Sequence, residues 1–349
     1  MRALTVIPQQ AGSLALVERA APAADPRRAL ARTLSIGICG TDHEIASGRY
    51  GTAPEGDARL VIGHESLAEI VSAPPGSGLA PGDLIVGIVR RPDPVPCASC
   101  AAGEWDMCRN GLYTERGIKG LHGYAQEYFA IDPAFAVRLD PALRRTGVLL
   151  EPASIVAKAW DQIARIGARA SWHPRTVLVT GAGPIGLLAA LMARQRGLEV
   201  HLFDRNEGGV KPALAAQLGA AYHTGDLAAL DLRPDIVVEC TGAPAVIVAA
   251  MEKGGAGGIV CLAGLSGGKR EIVLNAALLS RTMVLENDVV FGTVNANRRH
   301  YALAAEALTA ADPAWLGALI TRRVALADWR AAFAPDPDGV KTVIDFTSP

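Results

Sequence analysis

The chain is 349 residues long and half of it is hydrophobic, enough to divide an apolar core between two domains rather than gather it around one. Lysine and arginine number 34 against 35 aspartates and glutamates, so no net field exists to hold nucleic acid or an anionic membrane by charge. The opening stretch MRALTVIPQQ has neither the apolar core of a secretory signal nor the length of a membrane span, and a cytoplasmic protein is expected.

In chain order, residues 1 to about 150 read as short β-rich pieces broken by glycine and proline, among them LVIGHESLAEIVSAP, APGDLIVGIV and GYAQEYFAI. This pattern predicts a small antiparallel barrel. From Pro152 to Gly167 the apolar Ile155, Ala159, Ile163 and Ile166 recur every three or four residues, which predicts an amphipathic helix leading out of the barrel. There follow a strand TVLVT, a glycine turn, a helix to about Gly197, a strand EVHLF, another helical stretch and a strand DIVVEC, with GGIVCLAG and VVFGTV as further strands. Strands alternating with helices at this rhythm predict a parallel, doubly wound sheet. After about residue 292 one helix is expected, His300 to Leu308, then polar turns and a closing strand KTVIDF. The expected protein is thus α/β. A barrel domain holds residues 1–153 and 293–349, and a dinucleotide-binding domain holds 154–292.

The strand Thr176 to Thr180 runs directly into Gly181-Ala182-Gly183-Pro184-Ile185-Gly186 and then an apolar helix. The first glycine permits a tight turn, the second lets the backbone approach a pyrophosphate, and the third lets helix and strand lie close, the fingerprint of a Rossmann dinucleotide site. Asp204 lies 18 residues beyond the last glycine, at the end of the next strand. A carboxylate there accepts hydrogen bonds from ribose hydroxyls and repels a 2′-phosphate, which favours NAD. Arg205 and Lys211 nearby leave an NADP clamp as the alternative. Thr241, just past DIVVEC, joins Gly181, Gly183, Pro184, Ile185, Gly186, Asp204 and Arg205 as an expected cofactor contact.

Six cysteines stand at 39, 97, 100, 108, 240 and 261. In a reducing compartment, three within twelve residues suggest a metal more than a disulfide. Cys39 lies in GICGTDHE, and Gly63-His64-Glu65 opens another β segment. Thiolate, imidazole and carboxylate are donors that tetrahedral zinc prefers, and Glu151 in Leu150-Glu151-Pro152 can supply a third ligand. Singly, Cys39 reads as a small buried apolar residue and His64-Glu65 as a solvated turn; beside a dinucleotide motif the metal reading prevails. Cys240 and Cys261 fall in predicted strands and read as core or cofactor-floor residues.

In this combination the sequence resembles the zinc-containing medium-chain dehydrogenase family, most closely its glucose dehydrogenase branch. The resemblance spans nearly the whole chain and rests on Cys39-Gly40-Thr41-Asp42, Gly63-His64-Glu65, Arg90-Arg91, Glu115-Arg116-Gly117-Ile118, Glu151-Pro152, the glycine fingerprint, and Asn295 with His300. It implies a GroES-like β-barrel catalytic domain with the active site in the cleft between lobes. It also implies that Cys39 and His64 bind a catalytic zinc, with Glu65 and Glu151 as carboxylate or water-bridged partners that exchange during turnover. Thr41 then matches a hydroxyl relay, aided by His43, while Glu115, Asn295 and His300 match sugar-contacting positions. The family's structural zinc takes four cysteines. Here Cys97, Cys100 and Cys108 are present and Asp93 stands nearest the missing place, with one extra residue before Cys97. Either Asp93 completes a structural zinc site or the lobe holds three free thiols.

The activity so implied is hydride transfer from the C1 hydroxyl of an aldose to NAD or NADP, with zinc as Lewis acid. A polyol, cyclitol or other secondary-alcohol dehydrogenase is the alternative, and a non-catalytic dinucleotide-binding protein the remote one. No nucleic-acid or membrane partner is expected. The likeness implies a homodimer or homotetramer joined partly through the nucleotide domains' sheet edges.

Overall fold

The structure, a computed structural model, describes residues 1–265 and 271–348. It divides into two compact units, Met1–Ser154 with Asn295–Pro349, and Ile155–Val294.

The first unit is built on a sheet ordered Ala136–Arg138, Leu84–Gly87, Glu65–Ser72, Ala29–Ile38, Thr342–Asp345 and Arg322–Ala325, with Tyr128–Ile131 also pairing on Ala29–Ile38. Most of its ladders are antiparallel, while Arg322–Ala325 and Thr342–Asp345 run parallel. Its enclosed face carries Ile36, Ile70, Ile85, Phe129 and Ile344, joined by Leu4, Ile62 and Tyr124. Each fully buried aliphatic or aromatic side chain of this kind contributes about 1.5–3 kcal/mol. Short strands at Arg2–Val6, Ala15–Glu18 and Leu60–Val61 form one smaller sheet, and Arg90–Arg91, Thr114–Arg116 and Gly120–Leu121 another.

Register in the large sheet brings distant residues together. Gly37 pairs with Glu65 on one side and with Val343 on the other. Cys39 therefore leaves its strand level with the start of Glu65–Ser72, and Lys341 enters its own strand beside both. The approach to His64 is equally constrained: Tyr124 N–H donates to the Gly63 carbonyl and Ala125 N–H to the Ile62 carbonyl, at 2.8 and 3.0 Å. Gly63 has φ +86°, and a Cβ there would lie 2.9 Å from Ala125 Cβ and 3.0 Å from Ile36 Cγ2. Both the backbone angle and the space demand glycine.

After residue 292 the structure holds more than one helix. Arg298–Thr309 is followed by a helix Pro313–Leu319 and the strand Arg322–Ala325. The helix has its signals in place, with Asp312 accepting from Ala314 N–H and proline at its start, but it is short and lies in an alanine-rich stretch. The 322–325 strand is masked by its paired arginines.

The second unit is a parallel sheet ordered Ala221–His223, Glu199–Phe203, Thr176–Thr180, Ile236–Glu239, Ile259–Leu262 and Val289–Gly292. Numbered along the chain this is the order 3-2-1-4-5-6 of doubly wound dinucleotide folds. Leu178, Phe203, Val237 and Val260 lie in its core. A helix Ala276–Glu286, absent from the expected elements, precedes the edge strand; Asn275 caps it. Among the described residues no helix is long and apolar enough to cross a membrane.

Candidate metal and dinucleotide sites

Cys39 is the N-cap of the helix Gly40–Ala46, and its own N–H donates to Asp42 Oδ2 at 3.0 Å, closing a capping box three residues wide. The thiol is thus fixed at a helix start. Its Sγ lies 3.1 Å from His64 Nε2. Ligand atoms of Cys39, His64 and Glu65 all fall within 4.8 Å of one another. With Zn–S near 2.3 Å and Zn–N near 2.0 Å, a tetrahedral ion needs sulfur and nitrogen about 3.6 Å apart. The pair has to open by only a fraction of an ångström to take one. On its far side His64 Nδ1 faces Asp42 Oδ1 at 3.5 Å, the carboxylate-behind-imidazole arrangement that orients a metal-binding histidine.

Charge at this place is unbalanced. Asp42, His64, Glu65, Glu151 and Lys341 are all buried, and Cys39 adjoins them. Burial pushes the Cys39 thiol up, with Asp42 and Glu65 adding to the effect. Burial opposes charging His64, yet Cys39 and Asp42 outweigh it and hold its pKa well above the ordinary value. Burial, helped by Glu65 and Asp42, raises Glu151 to about 7. Four acidic groups around one imidazole and one ammonium are a setting that calls for a further cation, which is what the donor chemistry also says. Glu151, the second residue of the helix Leu150–Gly167, senses His64, Glu65 and Lys341 but lies outside the tight three-atom group, where Glu65 stands instead. Thr41 and His43 lie on the helix started by Cys39. Thr41 is half-buried, and His43 is exposed with its ring edge-on to Phe333 at 5.4 Å.

Glu115, Asn295 and His300 converge in the same unit. Glu115 Oε1 accepts from Arg90 Nε at 3.0 Å and from Asn295 Nδ2 at 2.6 Å. Arg90 stacks over Tyr113 at 3.7 Å and donates to the Asp106 carbonyl at 3.1 Å. Asp106 Oδ1 in turn accepts from Asn297 Nδ2 at 2.8 Å, and its Oδ2 faces His300 Nδ1 at 3.9 Å. His300 is only 1% exposed, and its Nδ1 accepts from Asn297 N–H in the cap of the helix Arg298–Thr309. It lies at the helix cap beside Asp106 and Asn297.

In the cysteine lobe, the sulfurs of Cys97, Cys100 and Cys108 lie within 4.8 Å of one another. The Arg109 and Cys100 amides lower Cys97 to about 6, whereas burial lifts Cys100 to about 11. The Asp93 carboxylate is not brought into this group. It turns back so that Oδ1 accepts from Val95 N–H at 2.8 Å, and only its backbone N–H faces Cys100.

The glycine loop has the form expected of it. Gly181 adopts φ +90°, and a Cβ on Gly186 would strike the Gly181 carbonyl oxygen. Nothing lies within 4 Å of a Cβ built on Gly183, the N-cap of the helix that begins Pro184-Ile185-Gly186, so the space a pyrophosphate needs is open there. Asp204 Oδ2 accepts from Ala182 N–H at 2.6 Å and Oδ1 from Asn206 N–H at 2.9 Å. Lys211 Nζ stands 3.5 Å from Oδ1, both side chains about nine-tenths buried. Arg205 is exposed. Thr241 approaches the loop, its Cγ2 2.9 Å from a Cβ built on Gly181, and is pinned by Glu239, whose Oε1 accepts from Thr241 N–H at 2.7 Å. Cys240 and Cys261 lie within or directly after strands of this sheet, and burial pushes both thiols up.

Asp42, Asp106, Asn297 and Lys341 are site residues beyond those expected. Asp42 had a legible signal, since a carboxylate three residues after a helix start is capping-box spacing; Lys341 had none.

Two family patterns match the chain, "Alcohol dehydrogenase GroES-like domain" over residues 25–141 and "Glucose dehydrogenase C-terminus" over residues 144–346. The glucose 1-dehydrogenase of Methanocella arvoryzae is 38% identical, covering 99% of each chain, and that of Thermoproteus tenax is also 38% identical over 99% of each. Among solved structures, Haloferax mediterranei glucose dehydrogenase in complex with NADP, Zn and gluconolactone superposes with a TM-score of 0.92 at 29% identity, covering 100% of both chains.

Proposed function

The chain belongs to the zinc-dependent medium-chain dehydrogenases, in their glucose dehydrogenase branch, and from that premise we propose that it oxidises an aldose such as glucose at C1 to the lactone, passing the hydride to NAD or NADP. The observation that carries this is the convergence of Cys39, His64 and Glu65 ligand atoms within 4.8 Å, in a chain that also holds an open glycine loop. Residues 1–153 with 293–349 serve as the catalytic domain and 154–292 as the dinucleotide-binding domain.

When bound, the zinc supplies Lewis acidity that lets a sugar hydroxyl give up its proton near neutral pH. A dinucleotide held at the Gly181–Gly186 loop and Asp204 would supply the two-electron acceptor for the hydride. Everything else falls to the chain. Cys39 and His64 hold the ion, and Asp42 fixes the imidazole so that Nε2 points forward. Glu151 stands beside the ion as a carboxylate partner, and the Thr41 hydroxyl passes the released proton outward by way of His43. Glu115 and Asn295 offer hydrogen bonds to ring hydroxyls, with Arg90, Asp106, Asn297 and His300 holding them in place. A ligand without those hydroxyls leaves buried polar groups unpaired and is rejected.

Cofactor choice turns on Asp204. A bare carboxylate excludes the 2′-phosphate, but this one has its oxygens engaged by two amides and carries Lys211 beside it, which supports acceptance of both NAD and NADP. In the lobe, Cys97, Cys100 and Cys108 hold a second zinc that lacks a fourth protein ligand. The exposed Leu278, Val284 and Leu285 near the edge strand Val289–Gly292 support assembly into a homodimer or homotetramer, which light scattering tests.

The deciding experiment is initial-rate turnover of D-glucose, D-galactose, D-xylose, sorbitol and inositols with NAD and NADP in parallel. Lactone formation from an aldose is the expected result. Activity on sorbitol or an inositol with none on any aldose refutes the sugar assignment.

A further inference from the structure

Glu239 ends the strand Ile236–Glu239, which lies between Thr176–Thr180 and Ile259–Leu262 in the parallel sheet. The junction with Thr176–Thr180 is where the strand order 3-2-1-4-5-6 reverses direction, and ligands of doubly wound sheets settle beyond the carboxyl ends of the strands at that point. Glu239 stands there fully buried. A buried carboxylate is costly unless donors surround it, and here they do. Oε1 accepts from Thr180 Oγ1 at 3.3 Å and from Thr241 N–H at 2.7 Å, the Thr241 hydroxyl donates to the same oxygen, and Gly242 N–H lies 3.2 Å from both oxygens. The Glu239 backbone carbonyl accepts from the Ala263 and Gly264 amides, each at 2.8 Å. One residue thus gathers the ends of three neighbouring strands.

The surrounding chain is fitted to it. Gly264 has no left-handed backbone angle to demand glycine, but a Cβ on it would collide with Gly242 N and come 2.7 Å from Glu239 Oε2. Thr241 spends its polar groups inward: N–H and hydroxyl both go to Glu239, and the hydroxyl oxygen accepts from Ala243 N–H at 3.0 Å. Its methyl group is what meets the glycine loop, 2.9 Å from a Cβ built on Gly181.

On the premise that the Gly181–Gly186 loop binds a dinucleotide, we propose that Glu239 is a positioning residue for that cofactor. It ties the Thr241–Gly242 loop to the Ala263–Gly264 loop as one floor beside Gly181, and it takes up their amides, leaving the pyrophosphate to the helix that starts at Gly183. The donors it collects also offset a negative charge that would otherwise repel the cofactor. Glutamine at 239 would keep the shape and lose the function. Whichever position its amide nitrogen takes already faces a donor, Thr241 N–H at Oε1 or Gly242 N–H at Oε2. Two donors then confront each other, and the floor beside Gly181 is released.

The test is calorimetric titration of the purified enzyme with NAD and with NADP, alongside steady-state kinetics, metal analysis and melting temperature. Glu239→Gln is expected to raise the Kd of both dinucleotides by about tenfold or more, as loss of bonds to a charged acceptor does, with zinc content unchanged and KM for the dinucleotide moving more than kcat. Val260→Ala, a truncation of a core residue in the adjacent strand, is the comparison for a merely structural role; it is expected to lower the melting temperature and leave both Kd values where they were. Should Glu239→Gln not fold, Gly264→Ala presses on the same two groups and is expected to raise both Kd values in the same way. Kd values that stay put in Glu239→Gln, or in Gly264→Ala where the former does not fold, or that rise as much in Val260→Ala, overturn this inference alone. A wild-type enzyme that binds neither dinucleotide overturns the premise and this inference with it.

Discussion

Replacing Lys211 by alanine tests the cofactor site most directly. Lys211 Nζ lies 3.5 Å from Asp204 Oδ1, with the two side chains 10% and 9% exposed. At an effective dielectric of about 20, unit charges at that separation interact by about 5 kcal/mol. If water and counter-ions screen all but a third of it, roughly 1.6 kcal/mol remains, somewhat more than tenfold in a rate or binding constant. Without the ammonium, the Asp204 carboxylate faces an incoming 2′-phosphate uncompensated, while an unphosphorylated ribose gains a freer acceptor. Lys211→Ala is therefore expected to lower kcat/KM for NADP relative to NAD by at least about tenfold, and Lys211→Arg to keep the wild-type ratio. Steady-state kinetics at saturating sugar, with each cofactor varied in turn, measures this. A ratio that stays put, or that moves towards NADP, refutes the claim that Lys211 shields the carboxylate.

Cys39→Ser is expected to remove about one zinc per chain and to cut turnover by more than the 10–100-fold, roughly, that loss of an outer-shell partner costs; atomic absorption with initial rates checks both, and retained metal would count against Cys39 as a ligand. Glu115→Gln keeps the side chain's shape but weakens its charge-assisted bonds to Arg90, worth about 1.5–3 kcal/mol, so kcat/KM for glucose should fall tenfold or more with zinc content unchanged. Loss of zinc in that variant would mean that Glu115 supports the metal rather than the sugar. Phe129, 1% exposed in the barrel core, should cost about 3–5 kcal/mol on truncation to alanine, read as a lower urea midpoint; a cost below about 1 kcal/mol would mean that the core collapses into the gap.

The architecture was legible because its signals are local. TVLVT running into GAGPIG, with an aspartate at the end of the next strand, spells out a strand, a turn and a helix within thirty residues, and the structure adds only the order of the sheet. The metal ligands were legible as donor types, but not their arrangement. The sequence reading put Glu65 and Glu151 on equal terms; register places Glu65 in the tight group and Glu151 just outside it. Asp93 looked like a fourth ligand by proximity along the chain; it stands outside the group of three sulfurs, with one carboxylate oxygen taken by Val95 N–H and the other buried without a partner. His300 looked like a sugar contact from the family likeness alone; its part in a buried helix cap had no signal in the sequence. Lys341 was invisible, since a lysine at the start of a closing strand reads as solvated, and its partner lies 276 residues earlier. Pairing across such distances leaves no periodicity to detect.

The strand Thr342–Asp345 completes the ladder along residues 35–38, yet it and its neighbour Arg322–Ala325 are synthesised long after the other strands of their sheet. Between Ser154 and that strand the ribosome must translate the whole second unit, which at roughly 5–20 residues per second takes on the order of ten to forty seconds. Throughout that interval the rim beside Cys39 stays open, with unpaired backbone groups that another nascent chain can zip onto. The order of synthesis thus leaves four residues of one strand unpaired until their last neighbour arrives.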